Sequence, residues 1–124
     1  MAERYRRFVK SIPAATATTV YTAPDDGETS PGAAESVIIG FLVASTSTEA
    51  GEVTVEHTNY YDGTTIKIMD TIPLPADTSV DLIPGKLVLQ HANNNAETPA
   101  LTGDILKITS SKTCDVFISV VERV

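Results

Sequence analysis

Val53-Thr54-Val55-Glu56 and, beyond a turn at Asp62-Gly63, Thr65-Ile66-Lys67-Ile68 alternate apolar and polar side chains with a period of two. That period places successive side chains on opposite faces of an extended chain, so each segment reads as a half-buried strand. Threonine, valine and isoleucine dominate both segments. Their branched Cβ atoms lose rotamer freedom in a helix and sit well on a pleated surface. Helical spacing is missing from almost all the rest of the chain, so the fold class is all-β.

Turn signals cut the sequence outward from this pair: Ala23 to Gly27, Glu49-Ala50-Gly51, Asp62-Gly63, Pro73 to Asp77, Pro84-Gly85, Asn93-Asn94-Asn95 and Thr102-Gly103-Asp104. Glycine supplies positive φ at such places and proline presets the bend. The segments left between them predict strands over 4–12, 18–22, 35–46, 52–60, 64–72, 79–83, 86–90, 104–110 and 114–122. Eight or nine short strands at this spacing imply an antiparallel β-sandwich or jelly roll. A parallel sheet would need crossover helices, and the sequence offers none.

Two strands depart from alternation. Ser36 to Ala44 is apolar at Val37, Ile38, Ile39, Phe41, Leu42 and Val43, and Val116 to Val121 is nearly so, with Phe117, Ile118 and Val120. A strand buried on both faces gives such a run. In a two-layer sandwich the outer face of a central strand should be wet. The surplus apolar residues therefore lie under a loop or meet another copy of the chain, and subunit contact is the favoured reading.

With 124 residues, the chain is one domain's worth. Its net charge of −7 argues against a general nucleic-acid binder, whose field should be positive. The charge is unevenly placed. Residues 1–10 hold four cations and one anion, which leaves five positive and fifteen negative charges on the remainder, a net of −10. Residues 1–12 thus read as a basic N-terminal arm or first strand, and residues 13–124 as a single β-sandwich domain. As an arm, Arg4, Arg6, Arg7, Phe8 and Lys10 would reach the acidic face of a neighbouring subunit; as a strand, they would present a solvated face. The apolar run from Val37 to Ala44 is far short of a membrane span. Ser11-Ile12-Pro13 follows the basic start where a signal peptide would place its apolar core.

Catalytic chemistry has little to build on. Cys114 is the lone cysteine, so there is no intrachain disulfide and no cysteine-based zinc motif, and the chain suits a reducing compartment. His57 and His91 are the two imidazoles. The first is in phase with Val53 and Val55 and reads as a structural histidine, the second as a loop residue. Sequence signatures of hydrolases, metalloproteases and nucleotide-binding loops are missing. Asp25, Asp26 and Glu28 cluster without the ligand spacing of a calcium loop. Asn59-Tyr60-Tyr61-Asp62 and Asn93-Asn94-Asn95 carry residue types that sugar-binding loops use. This makes Tyr60, Tyr61, Asn93, Asn94 and Asn95 candidates for surface recognition, against the plainer reading of strand ends and tight turns.

The ordered series Val20-Tyr21-Thr22-Ala23-Pro24, Ser36 to Ala44, Val53-Thr54-Val55, Ile72-Pro73-Leu74-Pro75, Val80-Asp81-Leu82, Lys86 to Leu89 and Gly103-Asp104-Ile105-Leu106-Lys107-Ile108 resembles small β-sandwich virion proteins of tailed bacteriophages. The likeness spans roughly residues 18 to 121, and its specificity lies in the order of short pieces. The loop from Asp25 to Pro31 and the segment from His91 to Leu101 depart from the pattern. The resemblance implies a non-enzymatic structural component, foremost a capsid decoration (cement) protein binding the shell in many copies. The alternatives are a neck or tail accessory protein and a carbohydrate or host-surface binding module. It further implies a virion location after assembly in the host bacterial cytoplasm. The partners would be copies of itself and other virion proteins, major capsid or neck and tail proteins, with no nucleic acid and no membrane. No catalytic, cofactor or metal residues are carried over. Phe41 and Phe117, with the basic arm, are the expected subunit contacts.

Overall fold

A computed structural model of the chain describes residues 3–24, 35–60, 63–82, 86–90 and 103–123. It contains nine strands: β1 (Glu3–Ile12), β2 (Thr18–Thr22), β3 (Glu35–Ser45), β4 (Gly51–Thr58), β5 (Thr65–Leu74), β6 (Ser79–Asp81), β7 (Leu87–Gln90), β8 (Ile105–Ser110) and β9 (Cys114–Arg123). All the pairings are antiparallel, and no helix occurs among the described residues. One sheet has the order β1-β9-β3, with β6 and β7 sharing the far flank of β3; the other has the order β2-β8-β4-β5. With β6 and β7 counted as one interrupted strand, this is the strand order of a jelly roll.

The two sheets bury one continuous core of Ile12, Val20, Tyr21, Ile38, Phe41, Val43, Val53, Val55, Leu74, Leu89, Leu106, Ile108, Ile118 and neighbours. Along β9 the alternation is complete: Cys114, Val116, Ile118, Val120 and Glu122 are buried, while Asp115 and Phe117 are exposed. Burial pushes the Cys114 thiol pKa up, which disfavours the reactive thiolate.

Two features differ from the sequence reading. β5 continues through Pro73 to Leu74, whereas the proline signal predicts a stop at residue 72. β5 is an edge strand, the position in a sheet where a residue without an N–H is tolerated. The second correction concerns Phe41, expected at a subunit contact: its side chain is 0% exposed and among the largest in the core. The β3–β9 register slips between Ile38 and Gly40. The slip reverses the phase of everything after it, so Phe41 and Val43 turn inward and Ile39 and Leu42 turn out.

One end of the sandwich is tied by Gly103-Asp104. A Cβ on Gly103 would sit 2.6 Å from the Ala23 carbonyl oxygen and 2.7 Å from that of Gln90, so only glycine permits this approach of three backbones. The Gly103 N–H donates to the Ala23 carbonyl, and the Ala23 N–H donates to the Asp104 carbonyl, both at 2.8 Å.

Candidate functional site

Register fixes which side chains share the outer face of the five-stranded sheet. One rung across it is Tyr5, Val121, Val37 and Val88; another is Val9, Phe117, Leu42 and Asp81. Tyr5 is 75% exposed, Val9 66%, Leu42 47% and Phe117 40%. Between these apolar rungs lie Arg7, Ser119 and Gly40, with Ile39 bulged beside them. Over the small side chain of Ser119 lies a groove of about 380 Å³ walled by Tyr5, Arg7, Ile39 and Phe117. Six of the seven large exposed apolar side chains among the described residues, Tyr5, Val9, Ile39, Leu42, Val88 and Phe117, lie on this face. Large apolar side chains gathered on one exposed face are what distinguish this surface from the rest of the described molecule.

A second feature lies on the inner side of the same sheet edge. Glu122, 1% exposed, receives hydrogen bonds at both carboxylate oxygens. The Arg4 guanidinium donates to Oε1 through Nη2 at 2.7 Å and Nε at 3.0 Å, with Arg6 Nη1 at 3.4 Å. The Tyr21 hydroxyl donates to Oε2 at 2.7 Å and lies 2.7 Å from the Ser36 hydroxyl. Burial alone would raise the Glu122 pKa. The Tyr21 and Arg4 hydrogen bonds and the charges of Arg6 and Arg4 outweigh it and hold the carboxyl below the usual range. Tyr21 is pushed the other way, chiefly by burial, so its phenol stays protonated and donates. Phe8 completes the cluster, edge-on to Tyr21 at 5.0 Å, with Arg6 stacked 4.9 Å above its ring.

The sequence candidates thus scatter, with Phe41 in the core. Arg7 and Phe117 lie on the outer face. Arg4, Arg6 and Phe8 lie against the chain's own Glu122 and Tyr21, and Lys10 Nζ reaches the Thr19 carbonyl at 3.4 Å. Tyr60 is half-buried, its N–H donating to Asp104 Oδ1 at 3.0 Å. Tyr61, Asn93, Asn94, Asn95 and His91 lie outside the described residues, as does the cluster of Asp25, Asp26 and Glu28.

His57 Nε2 lies 3.0 Å from Asp104 Oδ2, which also accepts the Gln90 N–H at 3.0 Å. Buried Asp104 therefore clasps β4, β7 and the loop after β4, and its oxygens are occupied by structural donors. Sequence reasoning missed Glu122 and Asp104 as polar centres. Nothing local reveals their partners: Arg4 stands 118 residues from Glu122, and Tyr60 stands 44 from Asp104. Among the described residues no group of three or more His, Cys, Asp or Glu side chains gathers as metal ligands. No helix among them is long and apolar enough to cross a membrane.

No family model and no curated relative matches the chain. Solved structures do match in fold. The structure of infectious bursal disease virus Gx strain aligns with 98% of this chain and 32% of its own, at 19% identity and a TM-score of 0.58. The T=1 particles derived from the same virus align with 98% of this chain and 31% of theirs, at 21% identity and a TM-score of 0.57. The VP2 subviral particle of that virus aligns with 98% and 33%, at 19% identity and 0.54. The chain spans about a third of those proteins, and what it shares with them is the β-sandwich fold.

Proposed function

We propose that this chain is a non-enzymatic structural protein of a virion that assembles in many copies through the outer face of its five-stranded sheet. The observation that carries the reading is the two apolar rungs on that face, Tyr5-Val121-Val37-Val88 and Val9-Phe117-Leu42. Likeness in fold to viral particle proteins supports it. At about 3.4 Å per residue and about 4.8 Å per strand, a face made of β1, β9 and β3 with the seven residues of β6 and β7 covers roughly 600 Å². A stable interface takes about 800 Å² from each partner, so this face supplies most of one.

The occupant we assign to the face is a second copy. Arg7 lies on the β1 edge and Asp81 on the β6 edge, one rung apart. A two-fold axis along the strands lays apolar rung on apolar rung and brings the Arg7 edge of each copy over the Asp81 edge of the other. The finer assignment is a capsid decoration protein of a tailed bacteriophage, held also by the shell's major protein and assembled in the bacterial cytoplasm; a neck or tail accessory place is the alternative. Quantifying the protein in purified particles tests this. Hundreds of copies per particle are expected for decoration, six to twelve would place it in a ring on the tail axis, and absence from particles would overturn the virion reading.

A further inference from the structure

We propose that β1 is an exchangeable strand: residues 3–12 of one copy leave their own β9 and fill the same edge, with its Glu122 socket, on a second copy of this chain. The inference rests on the reading that copies assemble.

Little apolar burial holds β1 to its own body. Eight of its ten residues are exposed, Phe8 is half-buried and Ile12 alone is fully buried. What does hold it is a ten-residue ladder to β9, unbroken from Glu3 opposite Arg123 to Ile12 opposite Cys114, and the donors it brings to Glu122. Every copy has the same strand and the same edge, so exchange reproduces each of these contacts and loses none.

The socket also selects its occupant. With β1 gone, Glu122 keeps Tyr21 on Oε2 and loses the arginine donors on Oε1. A buried carboxylate stripped of its cations is costly. An extended segment with arginines two residues apart on one face, continuing into Phe8 and Ile12 in phase, restores them, and the first strand of a second copy has that pattern.

The connector favours opening. Pro13 to Ala17 joins the two sheets in five residues, all exposed. Ala15 within it has a left-handed φ of 57°, a conformation a residue with a Cβ adopts at a cost. A short connector under strain invites exchange, because an extended path relieves it.

The test uses the full chain in a Cys114→Ser background. One variant carries Ser11→Cys and another Asp115→Cys, positions whose side chains meet at 2.8 Å across the β1–β9 register. The two are unfolded, mixed, refolded together at assembly concentration and oxidised. Exchange predicts disulfide-linked pairs at least tenfold above either variant alone, reduced severalfold when Ala15→Gly relaxes the connector. No linked pairs in the mixture, while a chain carrying both cysteines closes internally, overturns exchange. If the wild-type chain still sediments as an oligomer in that case, the assembly reading stands; if it sediments as a single chain, both fall. Should either variant fail to refold, Arg7→Cys with Ser119→Cys, also opposite each other, gives the same readout.

Discussion

The outer faces of the two sheets are built on opposite rules. On the four-stranded sheet, Thr54 stands opposite Thr109, Glu56 lies between Lys107 and Lys67, and Thr58 hydrogen-bonds Thr65 at 2.9 Å. These are cross-strand pairs of hydroxyls and opposite charges, suited to water. On the five-stranded sheet the equivalent positions hold Val37, Leu42, Phe117, Val121 and Val88. The free edges differ as well. β5 is interrupted by register shifts, by Pro73 and by a left-handed Thr71 with φ of 56°, devices that discourage another strand from adding. β1 runs ten residues without a shift. One sheet presents a polar face and an interrupted edge, and the other an apolar-runged face and an unbroken edge strand.

The largest effect separates the two phenylalanines that the sequence placed together. Phe41→Ala empties a site in the packed core and should cost about 4 kcal/mol in urea unfolding, whereas Phe117→Ala, on the outer face, should cost under about 1 kcal/mol. Equal losses would mean that the slip after Ile38 is misplaced.

Next in size is the edge. Replacing Arg4 and Arg6 together by alanine leaves the buried Glu122 without cations and should cost about 2 kcal/mol, a figure reduced because both arginines are about half exposed to screening water. Acid gives the same information without mutating the strand. The Glu122 carboxyl pKa lies below its unfolded value, near 4.3. Its contribution is therefore complete above that value and is lost as pH falls through the lower folded one. Glu122→Gln should destabilise the protein at pH 7 by about 1 kcal/mol, with the difference from wild type shrinking by pH 3; an undiminished difference would remove the ion pair from the account. The smallest effect belongs to the wet face, where Lys67→Ser should move unfolding by no more than about 0.5 kcal/mol and leave assembly unchanged.

The sequence announced the wet face more clearly than the dry one. Val53 to Glu56 and Thr65 to Ile68 alternate because one side of their sheet meets water, so period alone located β4 and β5. In β3 both sides are apolar, and period no longer tells in from out. The extended run was legible, but the orientation of Phe41 depended on a one-residue slip at Ile39 that leaves no compositional mark. Gly103-Asp104 stood out as a motif, although its reason, three backbones closing on a missing Cβ, needed the spatial neighbours Ala23 and Gln90. The basic first strand was visible as charge; that two of its four cations, Arg4 and Arg6, answer a single buried glutamate at the far end of the chain was not, because long-range pairing has no local signal.

Sedimentation velocity on the wild-type chain beside Phe117→Asp, at micromolar concentration, tests the central claim most directly. A charge set into the second apolar rung should weaken association about 30-fold, as loss of a central interface residue does, and should leave a folded single chain where the wild type forms oligomers. Wild type and variant sedimenting alike, whether both single or both associated, would contradict the assignment of this face to self-assembly.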